Sequence, residues 1–169
     1  MQLLFLKLLG VEVVTEIFHY DCYVSITDRA EYALCLPLGY NLNSKVDLDS
    51  WAFETLELTA LYSPFTNDWI GVGHTMLYNE DWSPVSDTIK FNSYILLESK
   101  GKDGQIVEPV QLDNSDKAVA FYQIFPLYPE ELNYTMERSY RELLGLFGPD
   151  MDYAIDINRE NYCGNKTDY

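Results

Sequence analysis

The sequence predicts one α+β domain over residues 1–169, a mainly antiparallel or mixed sheet with packed helices. Three observations carry that prediction. Phe18, Tyr20, Cys22, Val24 and Ile26 alternate with Ile17, His19, Asp21, Tyr23 and Ser25, the period of a strand with one wetter face. Tyr140, Leu143, Leu144 and Phe147 fall at i, i+3, i+4, i+7, the period of a helix with one apolar stripe. Several strand-like runs are joined by tight turns, which favours antiparallel pairing over a parallel βαβ array. A chain of 169 residues buries roughly 70% of its unfolded surface, so no metal or disulfide staple is needed.

Taken in order, "MQLLFLKLLG" is apolar but too short to cross a membrane, and it lacks a signal-peptide pattern. It reads as a buried helix or strand. The alternating run at 17–26 and "EYALCLPL", up to Pro37, follow as strands. A helix over 49–62 comes next, with Asp49 or Ser50 as N-cap, acids in its first turns, and Phe53, Leu56, Ala60 and Leu61 on one face. "IKFNSYILLES" and "QIVEPVQL" read as a hairpin turned at Asp103-Gly104. "KAVAFYQIFPL" is a strand ending at Pro126, and one helix is expected over 130–147. Pro129 suits its first position and Gly148-Pro149 stops it. "DYAIDI" reads as a short last strand.

The charge restricts partners. A net −16 repels nucleic-acid phosphates and anionic membranes and attracts basic proteins. Between Lys45 and Lys90 there is no Lys or Arg, while Asp47, Asp49, Glu54, Glu57, Asp68, Glu80, Asp81 and Asp87 all fall there. That stretch is either a solvated surface or a face that docks something cationic. The 3 cysteines (Cys22, Cys35 and Cys163) have no CxxC spacing and suit a reducing, cytoplasmic compartment.

Motifs for chemistry are weak throughout. "DWIGVGHTM" offers Gly71 and Gly73 but no third glycine for a dinucleotide fingerprint and no Lys-Ser/Thr pair for a phosphate loop. His19 and His74 lack metal-ligand spacing. The carboxylate pairs Asp47/Asp49 and Glu130/Glu131 precede or open helices, where they complement the dipole. "DMDYAIDIN" lacks the glycine and closing glutamate of a calcium loop. Cys163 stands near the C-terminus, exposed in principle but with nothing nearby to lower its pKa. No catalytic residue, cofactor or metal is expected.

A resemblance emerges from five blocks in order. They are "WAFETLELTALY", "NDWIGVGHTM", "IKFNSYILLES", "VAFYQIFPLYPEEL" and "SYRELLGLF". Together, over residues 30–150, they resemble the suppressor-of-fused domain family, with its Trp-led helix and W-x-G-x-G-H turn. The resemblance implies a non-enzymatic interaction domain. Animal members are two-lobed regulators that clamp an extended peptide, partly by strand addition, and carry an acidic residue where Gly73 stands here. Bacterial single-domain members are thought to act as immunity proteins of polymorphic toxin systems, and a single lobe favours that type.

The expectation is therefore a cytoplasmic protein that binds and neutralises a basic toxin domain, with Asp47, Asp49, His74, Asp81 and Trp82 at the contact. A regulator binding a peptide by strand addition is the alternative, and an enzyme of unrecognised chemistry the remaining one. The two glycines are expected to permit a positive-φ turn, with His74 reaching a hydrogen-bond partner or a cleft.

Overall fold

The computed structural model describes residues 2–5, 21–23, 29–36, 50–66, 68–101, 104–112, 118–149 and 151–164. Its elements are β1 (Gln2–Phe5), β2 (Asp21–Tyr23), β3 (Arg29–Leu36), α1 (Ser50–Thr66), β4 (Thr75–Leu77), β5 (Ser93–Glu98), β6 (Val110–Gln111), β7 (Ala118–Leu127), α2 (Pro129–Glu137) and α3 (Tyr140–Phe147). One sheet holds the strands in the order β1-β3-β7-β5-β4, with β2 paired on β3 and β6 on β7. β3 and β7 run parallel and the other described pairs antiparallel, so the α+β fold has a mixed sheet.

The central strands carry apolar side chains on both faces, which is why "SYILL" and "QIFPL" read as continuous runs rather than alternations. From β5, Tyr94 and Leu96 join a core with Trp51, Ala52, Leu56 and Ala60 of α1. Its other face sends Ile95 and Leu97 to a second core with Phe125 and Leu127 of β7 and Leu143 and Phe147 of α3. α1 thus covers one face of the sheet, and the C-terminal helices cover the other.

Several expected boundaries move. α1 runs to Thr66 rather than 62, passing through Pro64, and no acid lies in its first turn. Pro64 removes one amide donor, yet the helix continues, and Thr66 Oγ1 donates to Tyr62 O at 2.8 Å in the last turn. Its core face is centred on Ala52, Leu56 and Thr59, with Leu61 half-buried at the side. The Thr55 and Thr59 hydroxyls are absorbed by the carbonyls of Trp51 and Thr55, each at 2.6 Å. The single helix expected over 130–147 is two helices, because Ser139 takes an extended backbone and accepts Glu142 N–H at 3.2 Å as the N-cap of α3.

The expected hairpin of β5 with 105–112 is only local. Gly101 N–H donates to Gln105 O and Lys100 bridges Ile106, but β6 pairs with β7. β5 lies between β7 and β4, so both its edges are already taken. β7 continues one residue past Pro126. "DYAIDI" is not a strand: Asp152 and Asp156 accept the amides of Ala154 and Asn158 at 2.8 Å and turn the chain, leaving Ile155 N–H to Cys35 O. The alternation at 17–26 is described only at 21–23, which form β2. "MQLLF" supplies β1.

Candidate protein-interaction site

The segment 68–84 leaves α1, turns, forms β4 at the sheet edge and turns again. Asp68 Oδ1 accepts Trp69 N–H at 2.9 Å, and Gly71 and His74 close the first turn. His74 N–H donates to Gly71 O at 3.0 Å, and Gly71 N–H donates to His74 Nδ1 at 3.0 Å. Nδ1 is also 3.0 Å from Gly71 O, so the imidazole tautomer decides which of the two Gly71 backbone groups it bonds. Trp69, 58% exposed, stands edge-on to the His74 ring with centroids 4.7 Å apart. His74 therefore ties its own turn together.

The two glycines act differently. Gly73 has φ +87, and a Cβ there would lie 2.7 Å from the Tyr140 ring. Gly71 is not in the left-handed region; its missing Cβ would meet Trp69 Cζ3 at 3.0 Å and Tyr122 Oη at 3.4 Å. The positive-φ expectation thus holds at Gly73, while Gly71 permits close approach of an aromatic ring.

Beyond β4, Asp81 Oδ1 accepts Ser83 N–H at 3.0 Å, and the Ser83 hydrogen bonds hold the exposed carboxyl below its usual pKa. Asn79 Nδ2 donates to Ser83 O and Pro84 O at 3.3 and 3.1 Å. Within this turn Trp82 adopts φ +65, its N–H donating to Asn79 O at 3.1 Å. A bulky residue in the left-handed region is uncommon, and here the indole is 46% exposed. Composition gave no signal for that conformation.

The structure sets His74 at one end of β4 and Asp81 and Trp82 past the other, separated by about 10 Å of strand. Asp47 and Asp49 lie outside the described residues. β4 ends the strand order, and its ladder to β5 uses His74 O, taken by Leu96 N–H, and Tyr78 N–H, given to Asn92 O. By the alternation of an antiparallel pair, the backbone groups of Thr75 and Leu77 turn away from β5.

One constellation escaped sequence reasoning. Glu131, read as a dipole-complementing acid, is fully buried, and Arg159 grips it with Nη1 at 2.6 Å and Nη2 at 2.5 Å. Its carboxylate also accepts the N–H groups of Tyr128 and Tyr162 at 3.0 and 3.1 Å. The guanidinium lies 4.9–5.8 Å from the rings of Phe91, Phe125, Tyr128, Phe147 and Tyr162. Burial raises the Tyr128 phenol, partly offset by the Arg159 charge, and its hydroxyl donates to Arg159 O at 2.6 Å. This pair fastens the 151–164 tail to α2. Cys163, expected near the surface, is buried at the second core. Among the described residues no group of three His, Cys, Asp or Glu could hold a metal ion, and no helix is long and apolar enough to cross a membrane.

A family model described as "Suppressor of fused protein (SUFU)" matches residues 21–160. The chain belongs to the suppressor of fused family. Solved structures share the fold. Drosophila Suppressor of Fused aligns with a TM-score of 0.56 at 15% identity, over 81% of this chain and 33% of that one. A chain of the Sufu–Fu complex aligns at 0.55 and 15%, over 79% and 57%. A suppressor of fused homologue from Neisseria gonorrhoeae FA 1090 aligns at 0.52 and 23%, over 79% and 63%. No curated protein matches. The chain thus spans between a third and two thirds of these relatives, and at such identities the likeness establishes the fold alone. The suppressor of fused family is a family of protein-binding regulators rather than an enzyme class.

Proposed function

We propose that this chain is a non-enzymatic binding domain of the immunity type, which sequesters a basic toxin domain in the bacterial cytoplasm. The observation that carries the reading is Trp82, half-exposed and held at φ +65 in a hydrogen-bonded turn beside Asp81. Rigid exposed indoles are the usual anchors of protein interfaces, and ordering the loop in advance lowers the entropy lost on binding. The acidic stretch around it supplies the field that draws a cationic partner. In this reading Asp81 and Trp82 touch the partner, and Asp47 and Asp49, outside the described residues, enter only as part of the acidic stretch. His74 shapes the turn instead of making the contact.

The test is co-expression with a secreted toxin encoded beside this gene. Protection of the host cell and co-purification of a stoichiometric complex are the expected results. A toxin that kills despite soluble protein, with no complex formed, overturns the immunity reading.

A second reading rests on the outer edge of β4, which no other described strand covers and where an extended peptide could pair with Thr75 and Leu77. Leu77→Pro would remove an outward N–H with little harm to the ladder, since edge strands tolerate proline. Loss of partner binding in that variant, with Trp82→Ala still binding, favours strand addition over the loop contact.

A further inference from the structure

α1 is apolar on two opposite faces. Its inner face meets the sheet with Trp51 at one end, Leu56 at the centre, and small or hydroxyl side chains around them: Ala52, Thr55, Thr59, Ala60 and Ser63 are all buried. At 100° per residue the opposite stripe is Glu54, Glu57, Leu58, Leu61 and Phe65. Leu58 is 51% exposed and Phe65 81% exposed, so large apolar groups stand on the face away from the core as well as on the core face. A helix that is hydrophobic all round is ordinarily buried all round. Trp69, three residues past the helix end, adds a further exposed ring.

We infer that this outward face of α1 docks a cationic amphipathic segment of a protein partner. Leu58, Leu61 and Phe65 would take its apolar side chains, and Glu54 and Glu57 its basic ones. Charge decides among the occupants. α1 contains no Lys or Arg, and none occurs anywhere between Lys45 and Lys90. A second copy laid antiparallel would place Glu54 and Glu57 near the Phe65 end of its twin, where Asp68 follows and no base is available. An anionic lipid surface is repelled for the same reason, since interfacial helices flank their apolar face with Lys and Arg. A basic helix laid in an apolar stripe meets both requirements.

The inference rests on the protein-binding reading for its class of partner only, and it concerns residues of α1 rather than the Trp82 turn. The probe is a synthetic peptide of Leu and Lys at helical period, compared with the same composition scrambled. Expected results are binding of the patterned peptide at least about tenfold tighter than the scrambled one, and about tenfold weaker binding by Phe65→Asp or Leu58→Asp. Both variants should melt like the parent, because the side chains they replace are exposed. Glu54→Lys with Glu57→Lys should slow association at low salt.

Equal binding of both peptides, or parental affinity in Phe65→Asp, overturns the proposal. A several-degree fall in melting temperature for Phe65→Asp does the same, since it places Phe65 inside this chain's own fold. So do a dimer in sedimentation that Phe65→Asp dissolves, or binding to phosphatidylserine vesicles that it abolishes. Peptide binding without toxin protection would keep the α1 surface and remove the immunity reading. Protection without peptide binding would do the reverse.

Discussion

Gly73 carries two constraints at once, a φ of +87 and a Tyr140 ring 2.7 Å from where a Cβ would sit. Gly73→Ala should therefore cost about 3 kcal/mol in chemical denaturation, combining left-handed strain with overpacking. In a Tyr140→Ala background the ring is gone and only the strain remains, so the same change should cost about 1 kcal/mol. Equal costs in both backgrounds would remove the ring from the account. The acidic residue that the family resemblance associates with this position is excluded here by the same two constraints. Cys35 offers a pH test. Burial raises its thiol from 9.0 to about 11, with the Gln123 hydrogen bond opposing, and burial likewise raises the phenols of Tyr94 and Tyr78. The native state holds these protons more tightly than the unfolded chain. The Cys35 contribution is complete below pH 9 and lost as pH climbs through 11, whereas that of the two phenols is complete below pH 10 and lost only at higher pH. Melting temperature should fall across that window, and Cys35→Ala should flatten part of the fall; a slope unchanged by Cys35→Ala would show that the thiol does not contribute.

At the scale of elements, the 151–164 tail is fastened to α2 by a buried ion pair, beside the Ile155 bond to Cys35 O and the burial of Ile155 and Cys163, rather than by strand pairing. Arg159→Ala leaves Glu131 charged and uncompensated at zero exposure, which should cost about 3–5 kcal/mol. Arg159→Lys should fall between, since an ammonium cannot reproduce the two-pronged grip at 2.5 and 2.6 Å. Hydrogen exchange should show the amides of 151–164 losing protection in Arg159→Ala while those of β5 and β7 keep theirs. A cost below about 1 kcal/mol would place the tail's attachment elsewhere. These contacts also mark how far the sequence could be read. Elements with a strong period or a terminal signal were legible: the Pro129 start, the Gly148 stop, the apolar runs of β5 and β7. The Ser139-x-x-Glu142 cap was present as a signal but lay inside a longer helical period, which hid the break between α2 and α3. The Arg159–Glu131 pair joins positions 28 residues apart through tertiary contact alone, so no local pattern announces it. The partners of β5 and β6 were equally out of reach, because turn chemistry at Gly104 fixes a bend and not which strand lies alongside. At the candidate site, the Gly-Gly-His turn was legible as architecture, whereas the left-handed backbone of Trp82 follows from hydrogen bonds that residue types do not reveal.

For the whole molecule the governing quantity is a net charge of −16, with its cation-free stretch spanning α1, β4 and both turns of the candidate site. A field of that size acts before contact, so its signature lies in association kinetics. If the proposed complex with a basic toxin domain forms, its association rate should fall steeply between low and physiological salt, where the screening length shrinks to about 8 Å. Asp81→Lys should slow association and flatten that salt dependence, as loss of a rim charge does. Trp82→Ala should act the other way, speeding dissociation by an amount worth about 2 kcal/mol with association preserved. The two variants also differ in what they disturb. Asp81→Lys removes the acceptor of the Ser83 amide and loosens the turn, so Asp87→Lys, with no such bond to that amide, serves as the charge control. If Asp87→Lys slows association as much as Asp81→Lys, the field is the cause. If only Asp81→Lys does, the turn's geometry sets the rate and charge steering is overturned.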